Sequence, residues 1–161
     1  MDIRIDITRY LPHRTPFLMV DTIVRMDDEV VETVFEIKSD NLFIQPDGLF
    51  AEAGLIENAA QTCSAIVAKG YYVDENLEDK PDTNVIGFIS AIKTLKIHAL
   101  PKAGSTIKTK STLISNFVTD DYSLCTMNCQ TFLDETLLLE GEINLFIKQQ
   151  QSVPTAVKSN I

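Results

Sequence analysis

Histidine and cysteine, which supply most metal ligands and many nucleophiles, are scarce in this chain. Its 161 residues include three cysteines and two histidines, His13 and His98. An odd number of cysteines gives no even disulfide framework, and the spacing of cysteines and histidines matches no metal-ligand pattern. We therefore expect no metal site, and we predict reduced core cysteines. These are Cys63, Cys125 and Cys129.

Long apolar runs and an excess of positive charge are also missing. No run approaches the roughly 18 residues that a membrane helix requires, and the opening residues MDIRID do not resemble a signal peptide. We therefore expect a cytoplasmic protein without membrane insertion. The net charge of −9 argues against binding to nucleic acid or to anionic membranes. No phosphate loop or dinucleotide fingerprint is present, so we expect no cofactor.

One apolar stretch, residues 48–70, predicts a buried helix over about 49–69. A helix that is apolar around most of its circumference is enclosed by other elements. In its middle lie Glu57 and Gln61, four residues apart and therefore on one face. Because a carboxylate is rarely buried unless it is paired or used, Glu57 is the first candidate catalytic residue. The alternative is a glutamate that reaches solvent at a sheet edge or subunit boundary.

The rest of the chain predicts a sheet. Alternating apolar residues and turn signals indicate strands at 17–25, 31–38, 84–97, 105–117, 122–132 and 137–148. The short connections between the last four strands predict antiparallel neighbours. The acidic stretch 71–83 predicts a surface loop. The sequence thus indicates one α+β domain, 1–148, with a curved antiparallel sheet around the central helix, followed by a flexible tail, 149–161.

Two prolines, Pro12 and Pro16, bracket His13, Arg14 and Thr15. Because proline fixes φ and restricts the residue before it, this segment is predicted to be a stiff loop that holds His13 in place. Imidazole titrates in the range that acid and base chemistry uses. The second histidine lies at the end of a predicted strand and is interpreted as structural.

The motifs LPHRTPFLMVD (11–21) and ENAAQ (57–61) resemble those of the hotdog 3-hydroxyacyl-[acyl-carrier-protein] dehydratases of fatty-acid synthesis. The PKAG turn at 101–104 is similar to the turn after the third strand of that family. The family motif G-H-F-P, which supplies the catalytic histidine, is missing, because LFIQ stands at 42–45. The pattern FIQPDG followed by GLIENAAQT instead resembles a divergent branch, the dehydratase-like hotdog proteins encoded in aryl-polyene and flexirubin pigment clusters.

This resemblance implies a hotdog fold and dehydration of carrier-bound 3-hydroxyacyl chains in fatty-acid or aryl-polyene-type lipid biosynthesis. It implies that Glu57 helps the hydroxyl leave and that amides near 49–52 polarise the thioester carbonyl. With the family histidine missing, His13 is the best substitute base, and a structural role is its alternative. Asp47 is a weaker alternative base, and capping a turn is its alternative. The candidate substrate-binding residues are Gln61, Phe50, Asp47 and Arg14.

Two other functions remain open. The chain could be a catalytically weakened subunit that pairs with an active hotdog dehydratase, or an acyl thioesterase in which Glu57 activates water. Edge strands invite pairing, so we expect either a homodimer or a heterodimer with another hotdog protein. Acyl carrier proteins are acidic, so docking requires a local basic patch. Lys108 and Lys110 are candidates, with a solvated sheet edge as the alternative.

Overall fold

The computed structural model describes residues 4–76, 78–80 and 83–150. Within them, seven strands form one antiparallel sheet in the order β1-β2-β3-β5-β6-β7-β4. The elements are β1 (Ile5–Asp6), a 3-10 turn (Ile7–Arg9), β2 (Thr22–Met26), β3 (Val30–Glu36), α1 (Glu52–Tyr72), β4 (Asn84–Ile97), β5 (Thr106–Val118), β6 (Ser123–Leu133) and β7 (Thr136–Gln150). Helix α1 contacts β3, β4, β5, β6 and β7. The predicted class, one sheet around one central helix, is confirmed.

Alternating apolar residues located the long strands well. β4 has the predicted bounds, and β5, β6 and β7 begin and end close to theirs. β2 begins only at Thr22, because the preceding residues bond to the loop and to α1: Phe17 N donates to Arg14 O, and Met19 N donates to Gln61 Oε1. β7 extends to Gln150, and the rest of the predicted tail, 151–161, lies outside the described residues.

The neighbours of β4 differ from the prediction. β4 pairs with β7 at the edge of the sheet, while β5 pairs with β3 and β6. The connection between β4 and β5 does not make a hairpin because its backbone groups bond elsewhere: His98 N donates to Leu138 O, and Pro101 O accepts from Phe50 N. β4 therefore has one edge that no other described strand covers.

The helix begins later and ends later than predicted. Leu49 and Phe50 form isolated bridges with Lys102 and Ile44, so α1 starts at Glu52. It continues to residue 72 and takes in the first two residues of the predicted loop 71–83.

The core lies between α1 and the sheet. All three cysteines are free and buried there, as predicted. β5 is an interior strand, so the interpretation of Lys108 and Lys110 as part of a solvated edge is wrong. Lys108 Nζ instead lies 2.8 Å from Glu32 Oε2 on the neighbouring strand. No helix in the described ranges is long and apolar enough to cross a membrane.

Candidate active site

His13 and Glu57 face each other between the proline-bracketed loop and α1. His13 Nε2 lies 3.9 Å from Glu57 Oε1, and the two side chains are 32% and 36% exposed. Both line a cavity of about 200 Å³. Its other walls come from α1, β4 and β7: Ala60, Gln61, Ser64, Gly87, Phe88, Ile89 and Leu145. The two groups therefore reach solvent through one small cavity.

Gln61 connects the carboxylate to the loop. Its side chain is buried, and Nε2 donates to Glu57 Oε1 at 2.8 Å and to Phe17 O at 2.9 Å. Oε1 accepts from Met19 N at 2.7 Å. Both N–H donors of the amide are thus engaged by the protein. The structure gives Gln61 the position of a residue that orients Glu57, and its contact with substrate stays a prediction.

Asn58 connects the same loop to the sheet, and the sequence alone predicted no role for it. Its Nδ2 donates to Met19 O at 2.7 Å, and its Oδ1 accepts from Thr109 Oγ1 at 2.6 Å. Thr109 Oγ1 lies 2.8 Å from Thr131 Oγ1. The signal in the sequence was an asparagine on an apolar helix, since a buried amide needs hydrogen-bond partners. Asn58 and Gln61 together fix the loop to the helix and sheet.

The environment of His13 distinguishes its two ring nitrogens. Nδ1 is buried and has no hydrogen-bond partner among the described residues. A proton on Nδ1 would leave an unsatisfied buried donor, which costs about 1–3 kcal/mol. The tautomer with its proton on Nε2 is therefore favoured, and Nε2 is the ring nitrogen that lies 3.9 Å from Glu57 Oε1.

Two other residues predicted to bind substrate, Arg14 and Asp47, make hydrogen bonds within the fold. Arg14 Nη1 donates to Leu11 O at 2.8 Å and to His13 O at 2.7 Å, so it braces the loop that carries the histidine. Asp47 Oδ1 accepts from Leu49 N at 3.0 Å, which is the turn-capping alternative. Neither residue lines the cavity at Glu57. Substrate contacts by Arg14 and Asp47 stay predictions that this geometry does not support.

Phe50 lies in the core and not at the cavity. Its side chain is 0% exposed, and its ring centroid lies 6.1 Å from that of Phe35 and 6.2 Å from that of Phe43. Substrate contact by Phe50 stays a prediction that this geometry does not support, because its ring fills the space between β3 and the segment before α1.

The amides before the helix are also engaged. The N–H groups of Leu49, Phe50 and Ala51 donate to Asp47 Oδ1, Pro101 O and Phe43 O. These three groups cannot bind a thioester carbonyl without breaking bonds of the fold, so of the expected residues 49–52 only Glu52 keeps that expectation. The second histidine, His98, lies on the surface with Nε2 3.3 Å from Glu140 Oε1, an arrangement that fits a structural role.

An antiparallel sheet around one helix, with a histidine and a carboxylate between loop and helix, defines a hotdog protein. Similar solved structures include the dehydratase heterocomplex ApeI:P from Xenorhabdus doucetiae (TM-score 0.73, 17% identity, 92% of this chain and 93% of that chain). Two others are the uncharacterized protein PH1136 from Pyrococcus horikoshii (0.62, 12%, 89% and 93%) and a hypothetical thioesterase from Streptococcus pneumoniae with coenzyme A (0.52, 13%, 81% and 87%). At these identities the likeness shows the hotdog fold alone.

The family is shown by the sequence itself. The model of the ApeP-like family, described as ApeP dehydratase, matches residues 5–155. The chain therefore belongs to this family of dehydratases. The resemblance to the dehydratase-like hotdog branch is thereby confirmed. No curated protein matches the chain in sequence.

Proposed function

We propose that this protein removes water from 3-hydroxyacyl chains carried as thioesters on an acyl carrier protein, in the cytoplasm, with His13 and Glu57 as the reacting pair. The observation that carries the proposal is the 3.9 Å separation of His13 Nε2 and Glu57 Oε1 on one cavity wall. One oxygen atom fits between these two atoms at a hydrogen-bond distance of about 2.8 Å from each. The hydroxyl of the substrate is such an atom.

Dehydration needs one group to remove the proton beside the carbonyl and another to protonate the departing hydroxyl. The buried, unpartnered Nδ1 favours the His13 tautomer that carries its proton on Nε2. We therefore assign protonation of the hydroxyl to His13 and removal of the proton beside the carbonyl to Glu57. This reverses the roles expected from the resemblance. The proton that Glu57 takes then passes to His13 Nε2 through the water that forms between them, which restores both groups. Gln61 holds Glu57 Oε1 through Nε2.

The test is turnover of a 3-hydroxyacyl-carrier substrate by the purified protein, followed by mass spectrometry for loss of water. Glu57→Gln and His13→Asn should each lower turnover by about 10²-fold or more. Wild-type-like turnover by either variant would remove that residue from the mechanism.

Exchange of the proton beside the carbonyl in deuterium oxide separates the two roles. His13→Asn should retain exchange while losing dehydration, because the proposed base, Glu57, is intact in this variant. Glu57→Gln should lose both. The opposite pattern would restore His13 as the base.

We further propose that the protein works paired with a second hotdog chain along β4. No described strand covers the outer edge of β4, and this strand carries three exposed apolar side chains: Ile86, Phe88 and Ile92. An open edge of this kind promotes pairing with another chain. Phe88 and Ile89 of β4 also line the cavity at Glu57, so a partner there would border the site. The similar ApeI:P structure is itself a heterocomplex.

Light scattering and turnover, measured on the protein alone and after adding a second, separately purified hotdog dehydratase chain, test the pairing. A homodimer with turnover means that the site is complete in two copies of this chain. Turnover and a dimeric mass that appear only after mixing mean a heterodimer. A monomer with full turnover would contradict the pairing.

A further inference from the structure

We propose that Gly87 is a specificity-determining residue: the side chain it lacks keeps a passage open from the catalytic cavity to a second, apolar cavity that takes the far end of the acyl chain. This inference rests on the proposed function and adds the class of substrate, which is an unbranched, extended acyl chain.

The second cavity lies beside the first. Its walls include Tyr10, Leu11, Ala68, Tyr72, Val85 and Ile147. It shares three further lining residues with the cavity at Glu57, namely His13, Ser64 and Gly87. These three residues are therefore the boundary between the two spaces.

The two cavities follow one face of α1. Glu57, Ser64 and Ala68 recur at helical spacing, and Glu57 and Ala68 are about 16 Å apart along the axis at 1.5 Å per residue. The inner cavity has a volume of about 20 Å³, enough for about one water molecule. A passage this narrow admits a slim chain and excludes a branched chain.

Nothing in the backbone requires glycine at position 87. Among the described glycines, only Gly48 and Gly104 have positive φ. A Cβ on Gly87 would lie 3.5 Å from Ile147 Cγ1 and 3.9 Å from Phe146 O, which are ordinary contacts. Glycine inside a strand weakens it, because it loses more entropy on folding and packs no side chain. Glycine at position 87 thus lowers the stability of the strand, and neither the backbone conformation nor close packing requires a glycine there.

A side chain at 87 would enter the passage. Successive side chains of a strand point to opposite faces; Val85, two residues earlier, is buried, whereas Phe88 is exposed. Position 87 is therefore on the inward side of β4, opposite buried Ile147, while the glycine itself stays exposed to solvent. Of the other two boundary residues, His13 belongs to the reacting pair, and Ser64 Oγ donates to Ala60 O at 2.9 Å.

The experiment compares 3-hydroxydecanoyl and 3-hydroxybutyryl carrier substrates in the wild type, Gly87→Ala and Gly87→Val. We expect the ratio of kcat/KM for the long chain over the short chain to fall in order of side-chain size, by about tenfold or more for valine. We expect the melting temperature to stay equal or rise. Ser90→Val places the same side chain on the same edge strand away from both cavities, and its ratio should match the wild type. An unchanged ratio in Gly87→Val would overturn the inference.

A binding measurement separates this inference from the proposed reaction. Calorimetric titration of Glu57→Gln with decanoyl-pantetheine and butyryl-pantetheine needs no turnover. Introducing Gly87→Val into the Glu57→Gln variant should weaken decanoyl binding by about tenfold relative to butyryl binding. If the wild type turns over neither substrate but the binding selectivity changes as expected, the proposed reaction fails and the assignment of Gly87 stands. Equal weakening of both ligands would overturn the assignment.

Discussion

At Gln61 a single amide group serves both halves of the site. It donates to the Glu57 carboxylate and holds the loop of His13 through Phe17 and Met19. We expect Gln61→Leu to lower kcat by about tenfold or more, because Glu57 Oε1 loses its donor and the loop of His13 loses its anchor. Turnover of the variant, with circular dichroism to show that it is folded, measures this.

The matched control for this prediction is Gln149→Leu, which makes the same side-chain change on an exposed residue of β7. Its kcat should equal that of the wild type. A wild-type kcat for folded Gln61→Leu would mean that this residue does not position Glu57.

The sequence identified Glu57 and His13 as candidates but not the duties of the residues around them. The pattern of the helix showed that Gln61 shares a face with Glu57, which is a local property. Its bonds to Phe17 and Met19 join residues 44 and 42 positions apart, and no local pattern reports such contacts. The burial of Phe50 was not predictable for the same reason, since its aromatic partners Phe35 and Phe43 come from other elements.

At the scale of elements, the turn between β2 and β3 depends on one carboxylate. Asp27 Oδ1 accepts from Glu29 N at 2.9 Å and from Val30 N at 2.7 Å. These hydrogen bonds, first the one from Glu29 and then the one from Val30, lower the pKa of Asp27. A carboxyl with a lowered pKa in the folded state stabilises the fold above the unfolded pKa of about 3.9, and this contribution is lost as the pH falls through the folded value.

We therefore expect Asp27→Ala to lower the denaturation midpoint at neutral pH, and the difference from the wild type to shrink below pH about 4. Urea unfolding followed by circular dichroism at several pH values measures this. Asp28→Ala removes the neighbouring carboxylate, which is almost fully exposed, and should have a smaller effect at neutral pH. A difference for Asp27→Ala that persists at low pH would mean that the charge of Asp27 does not matter.

Strand positions were predictable, and so were the antiparallel pairs β5–β6 and β6–β7, but the neighbour of β4 was not. Alternation is a local signal, so the bounds of β4 to β7 followed from it. Pairing depends on how the curved sheet closes around α1. The short connection after β4 suggested a hairpin with β5, but the backbone groups of this connection bond to β7 and to the segment before the helix. β4 therefore lies at the far edge of the sheet. This exchange of neighbours also places Gly87 and Phe88 beside the catalytic cavity.

At the scale of the whole molecule, the cysteines report on whether helix and sheet stay together. Cys63 lies on α1, and Cys125 and Cys129 lie on β6, all buried between the two layers. Burial raises the pKa of Cys63, and burial raises that of Cys125 to about 11. At pH 8 only about one Cys125 side chain in a thousand is therefore in the thiolate form, which is the form that reacts.

We expect all three thiols to react with a thiol reagent at pH 8 only when the helix separates from the sheet. Labelling at increasing urea, followed by mass spectrometry, should give one midpoint for all three cysteines, equal to that of unfolding by circular dichroism. Glu135→Cys, at an exposed position in the turn between β6 and β7, should label at once in the native protein and shows that the reagent is competent. If Cys125 or Cys129 were labelled well before that midpoint, β6 would open without global unfolding, and the helix and sheet would not form one cooperative unit.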